Sequence, residues 1–417
     1  MHYEMEQEEH DVYPDDPDFD INNARLVTIA TRICVRYECV PMRFIKHVYK
    51  IHTYAQDGRL FEGKTPVSAF LNSSYDGSFI AGLMELRYIQ SLPVERIINY
   101  FESHGFTLKK PTAHKLMEKA SSLFENLYKC IRQTALSDPY KAADETYYKI
   151  LVPEKNSKGK GVRKGYLWVV VGINTRMIYL LYDDGSRSEK VILNELGGCK
   201  GIIQSDGYSP YRKLESDAYP HITRIPCLQH IKRKFIDCGE DDPDAKRIVE
   251  MINTLYQNEH KHKIGVDGWT VEQNLVHRKK YAPDILGEIK DVLDDIEERG
   301  DLLPKSELKE AITYLRNEWN AVVDIFNYGD TYLDNNIVER MNRYISLSRK
   351  NSLFFGSHKG AERGAILYTI ALTCRMNKVN LFEYLTDVIN RTAEWQPNTP
   401  LEKYRQLLPD RWEKAND

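Results

Sequence analysis

With 417 residues, 42% of them hydrophobic and 29% charged, the chain is globular and long enough for a sizeable core, divided into roughly two to four structural units. A net charge of −3 excludes bulk basicity as a basis for nucleic-acid binding, so any such surface has to come from local clustering. The 7 cysteines, an odd number scattered along a long chain, suit a reducing compartment better than a disulfide framework.

In chain order, residues 1–20 hold nine acidic side chains and no Lys or Arg, which reads as a solvated, disordered tail. The start lacks the basic end and apolar core of a secretory signal, and no apolar run approaches the roughly 20 residues that cross a bilayer. A cytoplasmic protein is expected. Cys34, Cys39, His47 and His52 form a C-x4-C, H-x4-H series that superficially suggests a zinc module. The stretch Ile33 to Tyr54 is rich in β-branched and aromatic residues, so a plain β-hairpin is preferred over zinc.

Helical spacing then runs from Ser78 to Gln90, and Pro93 opens a second helix through Phe101. His104-Gly105 makes a turn, and Lys109, Lys110 and Pro111 lead into a third helix from Thr112 to Leu127. This punctuation matches a helix-turn-helix, whose last helix would enter the major groove with His114, Lys115 and Lys119 as DNA contacts. A plain three-helix bundle with those residues on a solvated face has the same punctuation.

From Ala142 the pattern becomes β-rich. Strands are expected at Glu145 to Val152, Tyr166 to Ile173, Met177 to Tyr182, Gly201 to Gln204 and Ile222 to Ile225, with a helix at Ser188 to Leu196. A three-strand meander followed by strands alternating with helices argues an α/β fold: a mixed sheet with flanking helices, in a ribonuclease-H-like arrangement. Asp144 and Asp206 fall at the ends of β-like runs and can meet on neighbouring strands, while Glu339 lies on a helix for which Asp334 could be the N-cap. Three such carboxylates suit two divalent ions about 3.5–4 Å apart, which stabilise the attacking and leaving oxygens of a phosphodiester displacement. Magnesium needs only a few carboxylates plus substrate phosphate. Taken singly, each acid would read as an ordinary surface group. Glu145 points away from Asp144 by strand alternation and reads as supporting or structural.

Cys227-Leu228-Gln229-His230 begins a helix that continues through Lys232, Arg233 and Lys234. His230 reads as a proton shuttle or hydrogen-bond donor near a scissile phosphate, with a histidine satisfied by the helix terminus as the plain alternative, and Cys227 as a small buried structural residue. Between Asp237 and Asn327 the spacing of Ile285, Ile289, Val292 and Ile296, and of Leu308, Ile312, Leu315, Trp319 and Val322, is helical. Past Glu339, the cations Arg340, Arg343, Arg349, Lys350 and Lys359, with Asn342, Asn351 and Ser357 among them, offer donors to DNA phosphates. The expected organisation is an acidic tail at 1–25, a small β-rich region at 26–75, a helix-turn-helix-like region at 76–135, a catalytic core at 140–236 and 328–392, an all-α insertion at 237–327 and a peripheral tail at 393–417.

The segments Ala143-Asp144-Glu145-Thr146, Gln204-Ser205-Asp206-Gly207-Tyr208 and Asp334-Asn335-Asn336-Ile337-Val338-Glu339-Arg340 resemble the IS66 family of bacterial transposases. So do Arg349-Lys350-Asn351, Phe355-Gly356-Ser357 and Gly360-Ala361-Glu362-Arg363, in the family's order from about Ser78 to Leu385. The resemblance implies a DDE transposase with Asp144, Asp206 and Glu339 as metal-binding catalytic acids, two Mg2+ (or Mn2+) ions as cofactors, and double-stranded DNA as substrate. It also implies a homo-oligomer on paired transposon ends and a place beside the bacterial nucleoid. Family members commonly carry a longer N-terminal region with a cysteine-bearing zinc element. Here Gln56-Asp57-Gly58 follows the Arg43 to Ala55 strand where its last cysteines would stand, as in a shorter variant or a truncated copy. Two rival readings are a non-catalytic DNA-binding relic and a structure-specific nuclease of the same fold.

Overall fold

In a computed structural model, the described residues are 73–414 except 156–158, 160, 240, 263, 267 and 397, together with 22, 42–48, 50, 52–56, 59–62 and 68–70. The acidic run at 1–20, Cys34 and Cys39 lie outside them. Residues 42–48 carry no regular structure, and the antiparallel pair is β1 (Thr53–Gln56) with β2 (Arg59–Glu62). Among the described residues this strand pair begins at the end of the β-branched stretch rather than within it.

Five strands make the central sheet: β3 (Tyr140–Leu151), β4 (Val162–Gly172), β5 (Met177–Leu181), β6 (Gly201–Ser205) and β7 (Ile222–Pro226), in the order β5-β4-β3-β6-β7. The first three form an antiparallel meander, whereas β6 runs parallel to β3 and β7 parallel to β6. The run Leu167 to Val171 in β4 is buried at every position, as a strand covered on both faces must be. Asp138, itself buried, accepts the N–H of Tyr140 and of Thr175, which ties the turn between β4 and β5 to the start of β3. Gly201 has φ +90°, and a Cβ there would meet the carbonyl oxygen of Pro139 at 2.2 Å, so only glycine lets β6 begin this close to β3.

Helix α1 (Gly77–Met84) runs into one wider turn at Glu85–Ile89 and is followed by α2 (Val94–Ser103), α3 (Lys110–Leu123) and α4 (Glu125–Ser137). Gly105, at φ +82°, makes the turn between α2 and α3. The helix expected from Thr112 to Leu127 is split at Phe124, whose ring is fully buried and whose backbone leaves the helical region. Ala113, Leu116, Met117 and Ala120 on α3 join the same core as the sheet, so these helices do not enclose a separate core of their own.

Beyond α5 (Glu189–Leu196), the short α6 (Ser209–Arg212) and α7 (Leu228–Ile236), the chain forms three long helices, α8 (Pro243–Glu259), α9 (Val271–Glu298) and α10 (Glu307–Ile325). Their apolar faces build a second core that takes in Leu228 of α7 and reaches the sheet through Tyr140, Ile202 and Ile225. The chain then returns as α11 (Asn336–Asn351), packed on β3, and α12 (His358–Met376), packed on β5. β5 is an edge strand whose free backbone groups need partners. Thr369 and Thr373 of α12 supply them: their hydroxyls accept the N–H of Leu180 and of Ile178, and Thr373 donates to the Ile178 carbonyl. After α13 (Leu381–Thr392), the segment expected as a peripheral tail packs on the core. Tyr404 of α14 (Leu401–Arg405), Leu407 and Leu408 are buried there, and Tyr384 donates to the Leu407 carbonyl at 2.7 Å. Its aromatic and leucine content outweighs the prolines that suggested periphery.

Arg278 holds the three-helix region together. Fully buried, it bonds Glu259, the Ile325 carbonyl, and both the hydroxyl and carbonyl of Thr331. Arg278→Met should cost about 3 kcal/mol, because it removes the cation paired with the half-buried Glu259, which keeps only the neutral donors Tyr281 and Asn274, and takes the Arg278 donor from the Tyr328 and Thr331 carbonyls. Urea unfolding of the two proteins at neutral pH measures the difference.

Candidate active site

Register places the first two acids. β3 pairs with β6 in parallel as far as Ala142 opposite Gln204, and both chains run on by two residues, to Asp144 and Asp206. Asp144 lies inside β3 rather than at its end, because β3 continues along β4 alone after the pairing with β6 stops. Asp206 follows the last residue of β6, at the carboxyl end of a parallel strand, where open α/β sheets form clefts. Both are half-buried.

Asp144 takes two hydrogen bonds, one from the Asn342 amide at 2.6 Å and one from the Glu145 N–H at 2.8 Å. Burial, reinforced by the negative charges of Glu145 and Asp206, nevertheless pushes its carboxyl up to about 8. Asp206 accepts the Tyr208 N–H at 3.1 Å, which folds the turn after β6. Glu145, expected as a supporting residue, accepts from Arg187 and from the Tyr211 hydroxyl.

Glu339 sits in the first turn of α11, and two asparagines on the same helical face fix that turn. Asn335, four residues earlier, donates its side-chain amide to the Ala143 carbonyl at 2.9 Å and its backbone N–H to the Cys227 sulfur at 3.2 Å. Asn342, three residues later, is the donor to Asp144. The helix cap is Asn335 rather than Asp334, although the Asp334 carboxylate does accept the Asn336 N–H. Nδ1 of His230, on α7, stands 3.6 Å from Oε1 of Glu339. Cys227 is buried, and its thiol is pushed up to about 12 by desolvation.

A cleft of about 340 Å³ opens beside Asp206, lined by Arg187, Tyr208, His230, Arg233, Lys234 and Tyr314 among others. His230, Arg233 and Lys234 follow one another at i, i+3 and i+4, so the α7 sequence already held this face. The support of Asp206 was not foreseen. Arg224 on β7, fully buried, donates to the Asp206 carbonyl and ion-pairs with Glu318 of α10 and with Glu215. One turn before Glu318, the Tyr314 hydroxyl accepts the Gly207 N–H at 2.8 Å; a Cβ on Gly207 would lie 2.5 Å from that hydroxyl. Nothing in the sequence pairs a residue of the insertion with the turn after β6.

Of the expected DNA contacts, His114 and Lys115 on α3, Arg340, Arg343 and Lys350 on α11, and Lys359 on α12 are exposed. Arg349 instead lies over the Tyr147 ring, 3.9 Å from its centroid, and donates to the Tyr147 carbonyl. Lys119 reaches over Phe70.

The Asp144 carboxyl has a stability consequence. It binds its proton more tightly in the folded state, at about 8, than at the ordinary 3.8, so the stabilisation is complete below 3.8 and is lost as pH rises towards 8. In chelator, wild-type thermal stability should therefore fall relative to Asp144→Asn between about pH 4 and pH 8 and then level off; parallel melting curves of the two proteins would contradict it.

Compared with known families, residues 72–363 match the transposase IS66 family. Three relatives come from Sinorhizobium fredii: the uncharacterized protein y4jD, 26% identical over 80% of this chain, y4hP, 24% identical over 94%, and y4qI, 26% identical over 88%. The chain spans 65%, 73% and 69% of their respective lengths. The family match covers both parts of the sheet, the three-helix region and the helix of Glu339. This chain belongs to the IS66 transposase family.

Proposed function

We propose that the protein is a DDE transposase: it cuts DNA at transposon ends to free a 3′-hydroxyl and then joins that hydroxyl to target DNA at the same site. The observation that carries this reading is the convergence of Asp144 and Asp206 on adjacent parallel strands, with the helix of Glu339 tethered to the same strand by Asn335 and Asn342. The meander followed by two parallel strands supports a ribonuclease-H-like core.

Whether the residues fit divalent cations is answered by their electrostatics. Asp144 crowds against two other acids, and the Glu339 Oε1 is buried without a hydrogen-bond partner. Asp144, Asp206 and Glu339 are oxygen donors of the type that Mg2+ or Mn2+ takes. Two such ions, when bound, would supply charge for the attacking and leaving oxygens. The chain's own groups do the rest. Asn342 orients the Asp144 carboxylate, while Arg224 and Tyr314 hold the turn that presents Asp206. His230, on the cleft wall, is placed to hand a proton to a departing oxygen. Arg187, Arg233 and Lys234 offer cations to the phosphates of a strand lying in the cleft, and Arg340, Arg343, Lys350 and Lys359 extend that surface along α11 and α12. His114 and Lys115 would contact DNA from α3, and pairing of two transposon ends calls for a homo-oligomer.

The test is an assay on a mini-transposon end with Mg2+ or Mn2+. Wild type should yield joined product, whereas Asp206→Asn and Asp144→Asn should bind the end yet neither cut nor join. Cutting without joining by wild type would point to a nuclease, and binding alone to a relic.

A further inference from the structure

Two buried atoms of the candidate site have no hydrogen-bond partner, and they face each other. Nδ1 of His230 and Oε1 of Glu339 are separated by 3.6 Å, too far for a good hydrogen bond. The sulfur of Cys227 joins them: all three atoms lie within 4.8 Å of one another. Two elements make this cluster. Cys227 caps α7 and His230 stands in its first turn, while Glu339 comes from the first turn of α11. The Asn335 N–H donates to the sulfur, a contact that holds it in place between the two helix ends.

The donor set decides the ligand. Magnesium takes oxygen ligands, whereas a thiolate with an imidazole nitrogen and one carboxylate oxygen selects a softer ion. Zinc bonds of about 2.0 Å to nitrogen and oxygen and about 2.3 Å to sulfur put tetrahedral ligand atoms roughly 3.3–3.6 Å apart. The 3.6 Å gap between His230 and Glu339 is within about 0.3 Å of the nitrogen–oxygen separation, roughly 3.3 Å, that such a site needs.

We propose that Cys227, His230 and Glu339 form a binding site for a borderline-soft divalent cation of the zinc type. This donor group does not include Asp144 or Asp206. Binding displaces the Cys227 proton to solvent and forms a metal–thiolate bond, without redox change. A fourth position stays open for water, on the side where His230 lines the cleft. Only the sharing of Glu339 and of His230 with the catalytic groups rests on the transposase reading.

The experiment is a Co2+ titration of the full chain after chelator treatment, followed by absorbance under reducing, oxygen-free conditions. Wild type should develop a thiolate-to-cobalt charge-transfer band together with the intense visible bands of a tetrahedral site. Cys227→Ser should remove the charge-transfer band, and His230→Gln, which keeps the thiol, should weaken cobalt binding by at least about tenfold. Asp206→Asn should leave the spectrum unchanged while abolishing DNA cutting, so loss of the cobalt site and loss of the transposase reading are told apart. No charge-transfer band in wild type overturns the proposal. So does a band that survives Cys227→Ser, which would place the ion on other cysteines.

Discussion

Two carboxylates side by side at the point where parallel strands part are the constraint around which this structure is arranged. Parallel pairing of β3 with β6 ends two residues short of Asp144 and Asp206, so the backbone itself brings the like charges together. Burial is the main reason the Asp144 carboxyl holds its proton up to about 8, and the negative charges of Glu145 and then Asp206 add to it. The surroundings do not relieve this crowding with a fixed cation. Among the described residues, Arg187 is engaged by Glu145 and Arg224 by Glu215 and Glu318, and no ion pair is made to Asp144 or Asp206. Neutral donors, an asparagine amide and backbone N–H groups, orient the acids without discharging them.

The three-helix region bears on the same point from the far side. It interrupts the chain between β7 and α11, yet its last helix reaches back to the turn after β6 through Tyr314 and Glu318, one helical turn apart. The contact through Glu318 is a buried ion pair. Such pairs add little net stability against an apolar replacement but are costly to half-remove, so they favour one geometry over its neighbours. Here the favoured geometry is that of the Asp206 carbonyl, which Arg224 also binds. A displacement of α10 would therefore be felt at Asp206, which gives the insertion a physical connection to the site as well as its own core.

Much of this was legible beforehand, for reasons particular to each element. β5, β6 and β7 are short apolar runs bounded by turn residues and were readable from pattern, whereas β3 and β4 run to 12 and 11 residues and β3 begins at Tyr140, ahead of the Glu145 start that was expected. Family membership was readable because its motifs recur in order over most of the chain. Asp144 was expected at a strand end, since a sequence marks where apolar alternation stops and not where a strand changes partner. The roles of Arg349 and Lys119 were hidden for another reason. A cation near an acid, as Arg349 is, or on a recognition-like helix, as Lys119 is, reads as a phosphate contact, but these two lie over the rings of Tyr147 and Phe70, which no spacing rule connects to them. Arg224 and Glu318 lie 94 residues apart, and their pairing belongs to the tertiary fold.

The arrangement of fixed charge also keeps the exposed cations apart from the acids. Arg233 and Lys234 line the cleft wall with His230, and Arg340, Arg343, Lys350 and Lys359 lie outward on α11 and α12, none of them ion-paired with the acids. Had these cations been folded onto Asp144 and Asp206, the carboxylates would be neutralised from within and a mobile cation would gain little by binding. Kept apart, the basic wall retains its charge, and Asp144, which holds its proton up to about 8, is left to a mobile cation rather than to a fixed one. A negative pocket beside a positive wall attracts a divalent ion and a polyanion to adjacent places, and each weakens the repulsion that the other would meet.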